Sequence, residues 1–534
     1  MTTTEAPIAP FGTEEPNRPL PVRDEEYIDD GHDDGEEEAA GLLDEKPQRT
    51  RSDSILSFDL SNRLIIAPTV GDVERNALGT ANDSEQISLV AGIALIVGLV
   101  IGSGIFASSG VVAREVGSVG ASLLVWLLAG LLSWAGGSSL AELGSALPMN
   151  GGAQAYLQSA YGSLPSYCFS FTAVTALKPG SQAIISIIAG EYICRVLFHT
   201  AFSSDPQAAA RGVPTWAIKL VAIFCVLFVS TLQAWSTKLG TRMQVVTTSF
   251  KVIAICFIFG AGIVWLGLGR VASSFSFEGA TAGNPTGWAL ALFSALWAYD
   301  GFDQANYVAR SCKPGDLPKM INISLGTIVV LFSLANIAYF IVLPFELATA
   351  TATIGLDFGR AIAGPIGALL FAIIVGVSCI SALNSSLYTS ARLVVAAGEQ
   401  GFLPKAMSKF NKQRQTPING ILLSCSLSTI YILIGDFSSL SVFYGVCAWT
   451  WNFLVVVGLL VLRVKEPNLK RPYRTYLVTP ILFASTALFL LVLSAFSRPL
   501  QSLGGFLFCG AGAIPYYVQT RRKAREFAQD VEMT

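Results

Sequence analysis

From Ile87 onward the chain is a succession of apolar runs separated by short polar joints, each run close to the roughly 20 residues that a helix needs to cross a hydrocarbon layer. About twelve can be marked, at 87–108, 119–146, 165–198, 215–234, 242–268, 287–310, 320–344, 364–396, 417–435, 439–463, 476–496 and 500–519. The longer runs must tilt or bend. The pattern predicts an all-α integral membrane protein surrounded by the lipid bilayer. Three regions follow: an acidic tail over 1–85, a twelve-span membrane bundle over 86–520 and a short C-terminal tail over 521–534.

Charge sharpens this division. Residues 1–85 hold 21 of the 37 acidic residues but 7 of the 35 basic ones, so the tail nets −14 and the rest of the chain +12. A segment so acidic buries too little apolar surface to offset its ordering entropy, and it is expected to be disordered. No basic stretch leading into an apolar core follows Met1, so no signal peptide is expected. Basic residues gather after every second span: Lys238 and Arg242, then Arg310, Lys313 and Lys319, then Lys405, Lys409, Lys412 and Arg414, then Arg463, Lys465, Lys470, Arg471 and Arg474. Arg521, Arg522, Lys523 and Arg525 join the same side, which predicts both termini in the cytoplasm. The nine cysteines stand singly in mostly apolar surroundings, and His32 and His199 are the two histidines. Neither a metal site nor histidine catalysis is well supplied, and no metal, cofactor or nucleic acid is expected.

Two segments interrupt the apolar pattern in a way that points to mechanism. In the first span, Ile101-Gly102-Ser103-Gly104-Ile105 places a serine between glycines in mid-membrane, which invites a break in the helix. Unwound backbone is tolerated there only where it is buried or lines a cavity, and its amides suit a carboxylate. Close helix packing through small residues is the alternative reading. In the sixth span, Trp297-Ala298-Tyr299-Asp300-Gly301-Phe302-Asp303 carries two carboxylates and a glycine, and acids at that depth face a cavity or a partner. Spans one and six each open a five-span half, the position of discontinuous helices in inverted-repeat transporters. Lys251 in span five either snorkels to the cytoplasmic interface or is a fixed cation tied to the first break. Lys178, beside Pro179 and Gly180, reads as the flank of a kink in span three. Glu142 either pairs with a cation or caps the bundle.

These residues, with Ala141-Glu142-Leu143-Gly144, Tyr161-Gly162-Ser163-Leu164-Pro165, Leu356-Asp357-Phe358-Gly359 and the run from Asn384 to Arg392, resemble the amino acid–polyamine–organocation superfamily. Within it they are most similar to the L-type amino acid transporters and their fungal relatives, over about 87–475. The resemblance implies a 5+5 inverted repeat, the LeuT-like fold, plus two extra helices. It implies a substrate between the two breaks, with its carboxylate on the amides of Ser103, Gly104 and Ile105 and its ammonium on carbonyls near Trp297, Ala298 and Asp300. Trp297 would be the gate, Lys251 would take the place of a sodium ion, and Asn384 would line the side-chain pocket. The candidate substrate site is thus Ile101, Gly102, Ser103, Gly104, Ile105, Trp297, Ala298, Tyr299, Asp300, Gly301 and Asn384. Trp297, Lys251, Asp300 and Asp303 are the gating or coupling candidates.

Three departures from the family pattern matter. Phe198 to Trp216 holds no cysteine, so no disulfide-linked heavy chain is expected. Asp300 stands where animal members have a small residue, and Arg310-Ser311 replaces an acidic pair. The expected function is sodium-independent transport of large neutral amino acids by alternating access, most readily at the plasma membrane, with a vacuolar or other internal membrane second. Exchange, uniport and proton symport all fit. The rival reading is an amino-acid-sensing receptor that signals through trafficking or signalling proteins at the N-terminal tail, where Arg49 to Ser54 could be phosphorylated. No nucleophile–base or metal-ligand set supports an enzyme.

Overall fold

The computed structural model describes residues 87–532 apart from 150, 199–212, 281–284, 314, 352, 412, 413, 415, 436 and 498. The acidic tail, the phosphorylatable segment and most of the loop between Phe198 and Trp216 lie outside the described residues. Helices fill the described chain, and the pairing of Ile87 with Cys312 is an isolated bridge.

The first apolar run is two helices, α1 (Leu89–Val100) and α2 (Gly104–Val116), bent by 43° at their junction. It is followed by α3 (Val119–Ala146), the short α4 (Ala153–Tyr161) and α5 (Ser163–Thr172), which runs through a π turn at Ala173–Leu177 into α6 (Lys178–Leu197). Next come α7 (Thr215–Trp235), α8 (Thr237–Gly267) and α9 (Pro285–Ala298). After α9 the chain unwinds and resumes as a 3-10 helix, Gln304–Ser311. The second half holds α10 (Asp316–Val342), α11 (Phe345–Ala350), α12 (Ile354–Glu399), α13 (Ile418–Ile434), α14 (Phe437–Lys465), α15 (Val478–Ser497), α16 (Pro499–Ala511) and α17 (Ala513–Glu532).

Eight of these helical stretches are long and apolar enough to cross a membrane, and the bent α1–α2 pair makes a ninth. Three of the twelve expected runs are helical without meeting that test. The run at 287–310 is α-helix to Ala298, unwound over 299–303 and 3-10 helix from Gln304, α13 has 17 residues, and the last run divides between α16 and α17. The span expected to start at 364 does so: the helical run from Ile354 is broken at Ala363 and Gly364 (φ 60°), so a short helix over 354–362 folds back on the long segment that begins at Pro365. A β-carbon on Gly359 would lie 2.4 Å from the Gly367 carbonyl oxygen, so the two arms of this hairpin meet backbone to backbone.

Lipid-facing helices are apolar all round, and polar side chains sit where helices meet. Glu142, near the end of α3, is fully buried. Arg463 of α14 donates to both its oxygens, Nε to Oε1 at 3.0 Å and Nη2 to Oε2 at 2.6 Å. The Thr475 amide donates to Oε2 at 2.9 Å, and Arg471 Nε lies 3.6 Å from Oε1. Glu142 is thus the tie between α3, α14 and the segment after it. Removing one partner leaves a buried charge without compensation, so Glu142→Ala should cost about 3–5 kcal/mol. A lowered unfolding midpoint in detergent checks this.

Candidate substrate-binding site

The first break begins where α1 ends at Val100. The Gly102 amide turns back onto the Val100 carbonyl at 2.7 Å, and α2 starts at Gly104 with a new axis. Among the described residues no acceptor meets the amides of Ser103, Gly104 and Ile105, the open N-terminus of α2. The carbonyls on the other side of the break are taken. Ser378 Oγ of α12 donates to those of Ile101 and Gly102 at 3.1 and 2.8 Å. Further back along α1, Ser385 Oγ reaches the Leu95 carbonyl at 3.3 Å.

The neighbouring α8 presents a stripe to α1. Gln244, Thr248 and Lys251 are spaced i, i+4, i+7 and so share one face. Thr248 Oγ1 donates to the Ala94 carbonyl at 3.0 Å, Gln244 Nε2 to the same carbonyl at 3.4 Å, and Lys251 Nζ to the Gly98 carbonyl at 2.6 Å. Lys251 is 2% exposed and points into the protein, so it does not snorkel. A β-carbon at Gly98 would fall on Gln244 Nε2 and Thr248 Oγ1, so a side chain there would push both from their bonds to α1.

The second break spans Tyr299 to Asp303. Gly301 takes φ 117°, where a β-carbon would also strike Leu99 Cδ2 at 2.8 Å, so it packs the break against α1. No donor among the described residues reaches the carbonyls of Ala298, Tyr299 or Asp300. The two breaks touch: a β-carbon on Gly104 would stand 2.6 Å from Ala298 Cα. Asp300 accepts from the Gly301 amide at 3.0 Å and from the Tyr444 hydroxyl of α14. Asp303 accepts from Gln304 Nε2 at 2.6 Å.

Opposite these carboxylates is Lys178, which the kink reading missed. Its ammonium is buried, donates to Gln304 Oε1 at 3.3 Å, stands 4.0 Å from the centre of the Tyr307 ring, and is linked to Asp303 through Gln304, lining the same cavity as both carboxylates. Where the kink was expected, the helix runs through a π turn, Ala173–Leu177, that ends one residue before Lys178 and Pro179. Pro179 has no N–H for the Thr175 carbonyl, and the Tyr431 hydroxyl donates to it at 2.9 Å. The π turn, a frequent mark of functional sites, immediately precedes Lys178.

A cavity of about 970 Å³, counting its open mouth, joins these parts. Gly102, Ser103, Gly104, Trp297, Ala298, Asp300 and Asp303 all line it, together with Lys178, Tyr307, Tyr444 and Asn452. Other expected site residues lie elsewhere. Ile101 and Ile105 are in the core, Lys251 lies behind α1, and Gly301 packs on Leu99. Tyr299 is buried with its ring 5.0 Å from Phe332 and 5.8 Å from Trp126, away from the cavity. Asn384 does not line it either. It donates to Gln244 Oε1 at 2.9 Å, accepts from Gln233 Nε2 at 2.6 Å, and borders a separate cavity of about 340 Å³. Ser386 lines the central cavity instead, and two helical positions, about 200° of turn, put Asn384 on the far side of α12. Among the described residues no group of three or more metal-ligating side chains is gathered.

A family profile of amino acid permeases matches residues 87–514, four-fifths of the chain and both breaks. The chain belongs to that family. It is 34% identical over 446 residues to the b(0,+)-type amino acid transporter 1 of Mus musculus, covering 83% of this chain and 89% of the relative. It is 29% identical over 456 residues to the cystine/glutamate transporter of Homo sapiens (84% and 88% covered). It is 30% identical over 429 residues to the large neutral amino acids transporter small subunit 2 of Homo sapiens (79% and 78% covered). The chain is accordingly a multi-pass membrane permease that transports amino acids, all-α as the apolar pattern predicted and with the APC-type fold that the family resemblance implied. Gly104→Val forces the two breaks apart, so uptake into proteoliposomes should fall at least tenfold while gel-filtration behaviour stays normal; near-normal uptake would remove the first break from the site.

Proposed function

We propose that this permease carries large neutral amino acids, without sodium, by alternating access around the contact between Gly104 and Ala298. That contact carries the reading, because it sets unbonded amides and unbonded carbonyls side by side at one end of the cavity. A substrate carboxylate meets the amides of Ser103, Gly104 and Ile105, aided by the positive end of α2. Its ammonium meets the carbonyls of Ala298 and Asp300. Both are charge-assisted hydrogen bonds and demand nothing of the side chain. Trp297, which lines the cavity at the end of α9, closes over the bound molecule, and one bundle rocks against the other.

Asp300 does not by itself argue for a cationic side chain. Two donors already hold its carboxylate and Lys178 lines the same cavity, so a compensating cation is part of the protein. Leu177, Ile185, Ala448 and Val455 supply apolar wall for the substrate side chain, where one methylene is worth about 1–3 kcal/mol. Selection among large neutral amino acids is therefore broad. Lys251 supplies at the first break the fixed positive charge that a bound sodium ion would otherwise bring. The protein works without a disulfide-linked heavy chain, with both termini cytoplasmic, at the plasma membrane.

Uptake of radiolabelled leucine and arginine into proteoliposomes in sodium-free buffer tests the substrate class. Leucine should enter and arginine should not, and Lys178→Met should cut leucine uptake at least tenfold by leaving the two carboxylates without their cation. Arginine entering faster than leucine would overturn the neutral assignment, and binding of leucine without flux would favour the receptor.

A further inference from the structure

The last helix carries a surface that transport does not use. Gly512 marks the junction of α16 and α17, where a β-carbon would lie 2.9 Å from Cys168 Cα, so the start of α17 is pressed onto α5. One face of α17 stays on the protein. Tyr516 packs edge-on to Tyr167 with ring centres 5.4 Å apart, and Gln519 Nε2 donates to the Gly401 carbonyl at 2.6 Å. Tyr167 packs in turn on Phe402, 5.1 Å away.

The other face is a single exposed stripe. Ile514, Tyr517, Val518, Arg521, Arg522 and Arg525 follow the spacing i, i+3, i+4, i+7, i+8, i+11, and all six are exposed. Ile514 is 70% and Tyr517 57% exposed. The stripe changes character along its length, apolar for its first three members and cationic for its last three. None of the three arginines forms an ion pair with a residue whose side chain the structure describes. The helix leading into it exposes Leu500, Leu503 and Leu507, an apolar face suited to acyl chains. From Val518 to Arg525 the helix rises about 10 Å, roughly the depth of a headgroup layer plus the reach of a side chain.

We propose that this stripe is a binding site for anionic phospholipid on the side where the C-terminus emerges. Ile514, Tyr517 and Val518 lie along the acyl chains, and Arg521, Arg522 and Arg525 hold the headgroup phosphate and carboxylate. The order of residues is the order of the layers: hydrocarbon, then the aromatic ring at the boundary, then charge. Docking through Tyr516 and Gln519 fixes the rotation of α17, so the arginines are presented together. Bidentate guanidinium–phosphate pairing then adds geometry to the simple attraction of charge. With the cytoplasmic C-terminus proposed above, the leaflet engaged is the anionic one, although the chemistry of the stripe stands without that assignment.

Native mass spectrometry of the full-length protein in detergent, titrated with palmitoyl-oleoyl phosphatidylserine or phosphatidylcholine, reads the site directly. Phosphatidylserine should be retained in preference, with retention weakened by salt. The triple substitution Arg521→Gln, Arg522→Gln, Arg525→Gln should lower apparent phosphatidylserine affinity at least tenfold. The same variant should keep wild-type leucine uptake in phosphatidylcholine liposomes, since none of the three side chains lines the transport cavity. Replacing all three by lysine should restore part of the retention, which a merely structural role would not predict. Equal retention of the two lipids, or equal phosphatidylserine retention by wild type and the glutamine variant, would overturn the proposal. So would displacement of the lipid by millimolar inorganic phosphate, which would make the stripe a free-anion site.

Discussion

An opened backbone inside a hydrocarbon layer leaves polar groups with no water to turn to, and the architecture follows from how this chain meets that constraint. The carbonyls around the first break are met by side chains from two other helices: Ser378 and Ser385 of α12, and Thr248 and Lys251 of α8. The amides are left open toward the cavity. Division of labour between the two ends of one interrupted helix turns a packing defect into a receptor for a carboxylate. The second break repeats the arrangement with opposite polarity, its carbonyls open and its acidic side chains tied down.

Charge inside the bundle is handled in two separate places, and the separation is informative. Lys251 is spent on the α1 backbone, whereas Lys178 lines the cavity with Asp300 and Asp303 and is linked to Asp303 through Gln304. One ammonium therefore supports the shape of the site and the other its electrostatic balance. Lys178 reaches its position through the π turn that precedes it, and that turn is sustained by a hydroxyl from α13 taking over the carbonyl that proline cannot serve. The Glu142 cluster is distinct from both. It lies outside the cavity lining and ties three segments together through bonds that are saturated on every side.

Most of the bundle was legible because hydrocarbon imposes a length on apolar runs that no folding detail can evade. What hydropathy does not see is the local winding. The polar residues from Asp300 to Arg310 mark an interruption but do not say that the chain resumes as a 3-10 helix, and the boundary at 364 does not reveal that the preceding segment folds back as a short helix. At the site, Gly102, Ser103, Gly104, Asp300 and Asp303 announced themselves as residues that membrane helices rarely carry without a reason. Lys178 announced itself in the same way, but proline and glycine beside it offered a sufficient local explanation. Tyr444 gave no comparable signal, since its partner is 144 positions away. Asn384 shows the opposite error: it belongs to the right helix, but two residues of phase decide which cavity a side chain enters.

The contact of Gly104 with Ala298 also sets where this cavity can be redesigned. The end that grips the amino and carboxyl groups is built from main chain, so mutation cannot retune it without closing it. The side walls at Ser181, Ile185, Ala448 and Asn452 are built from side chains on α6 and α14 and can be exchanged one at a time. Diversification of substrate range in such a scaffold thus falls to the side-chain walls, and those two helices are a natural place to draw a library for new specificities.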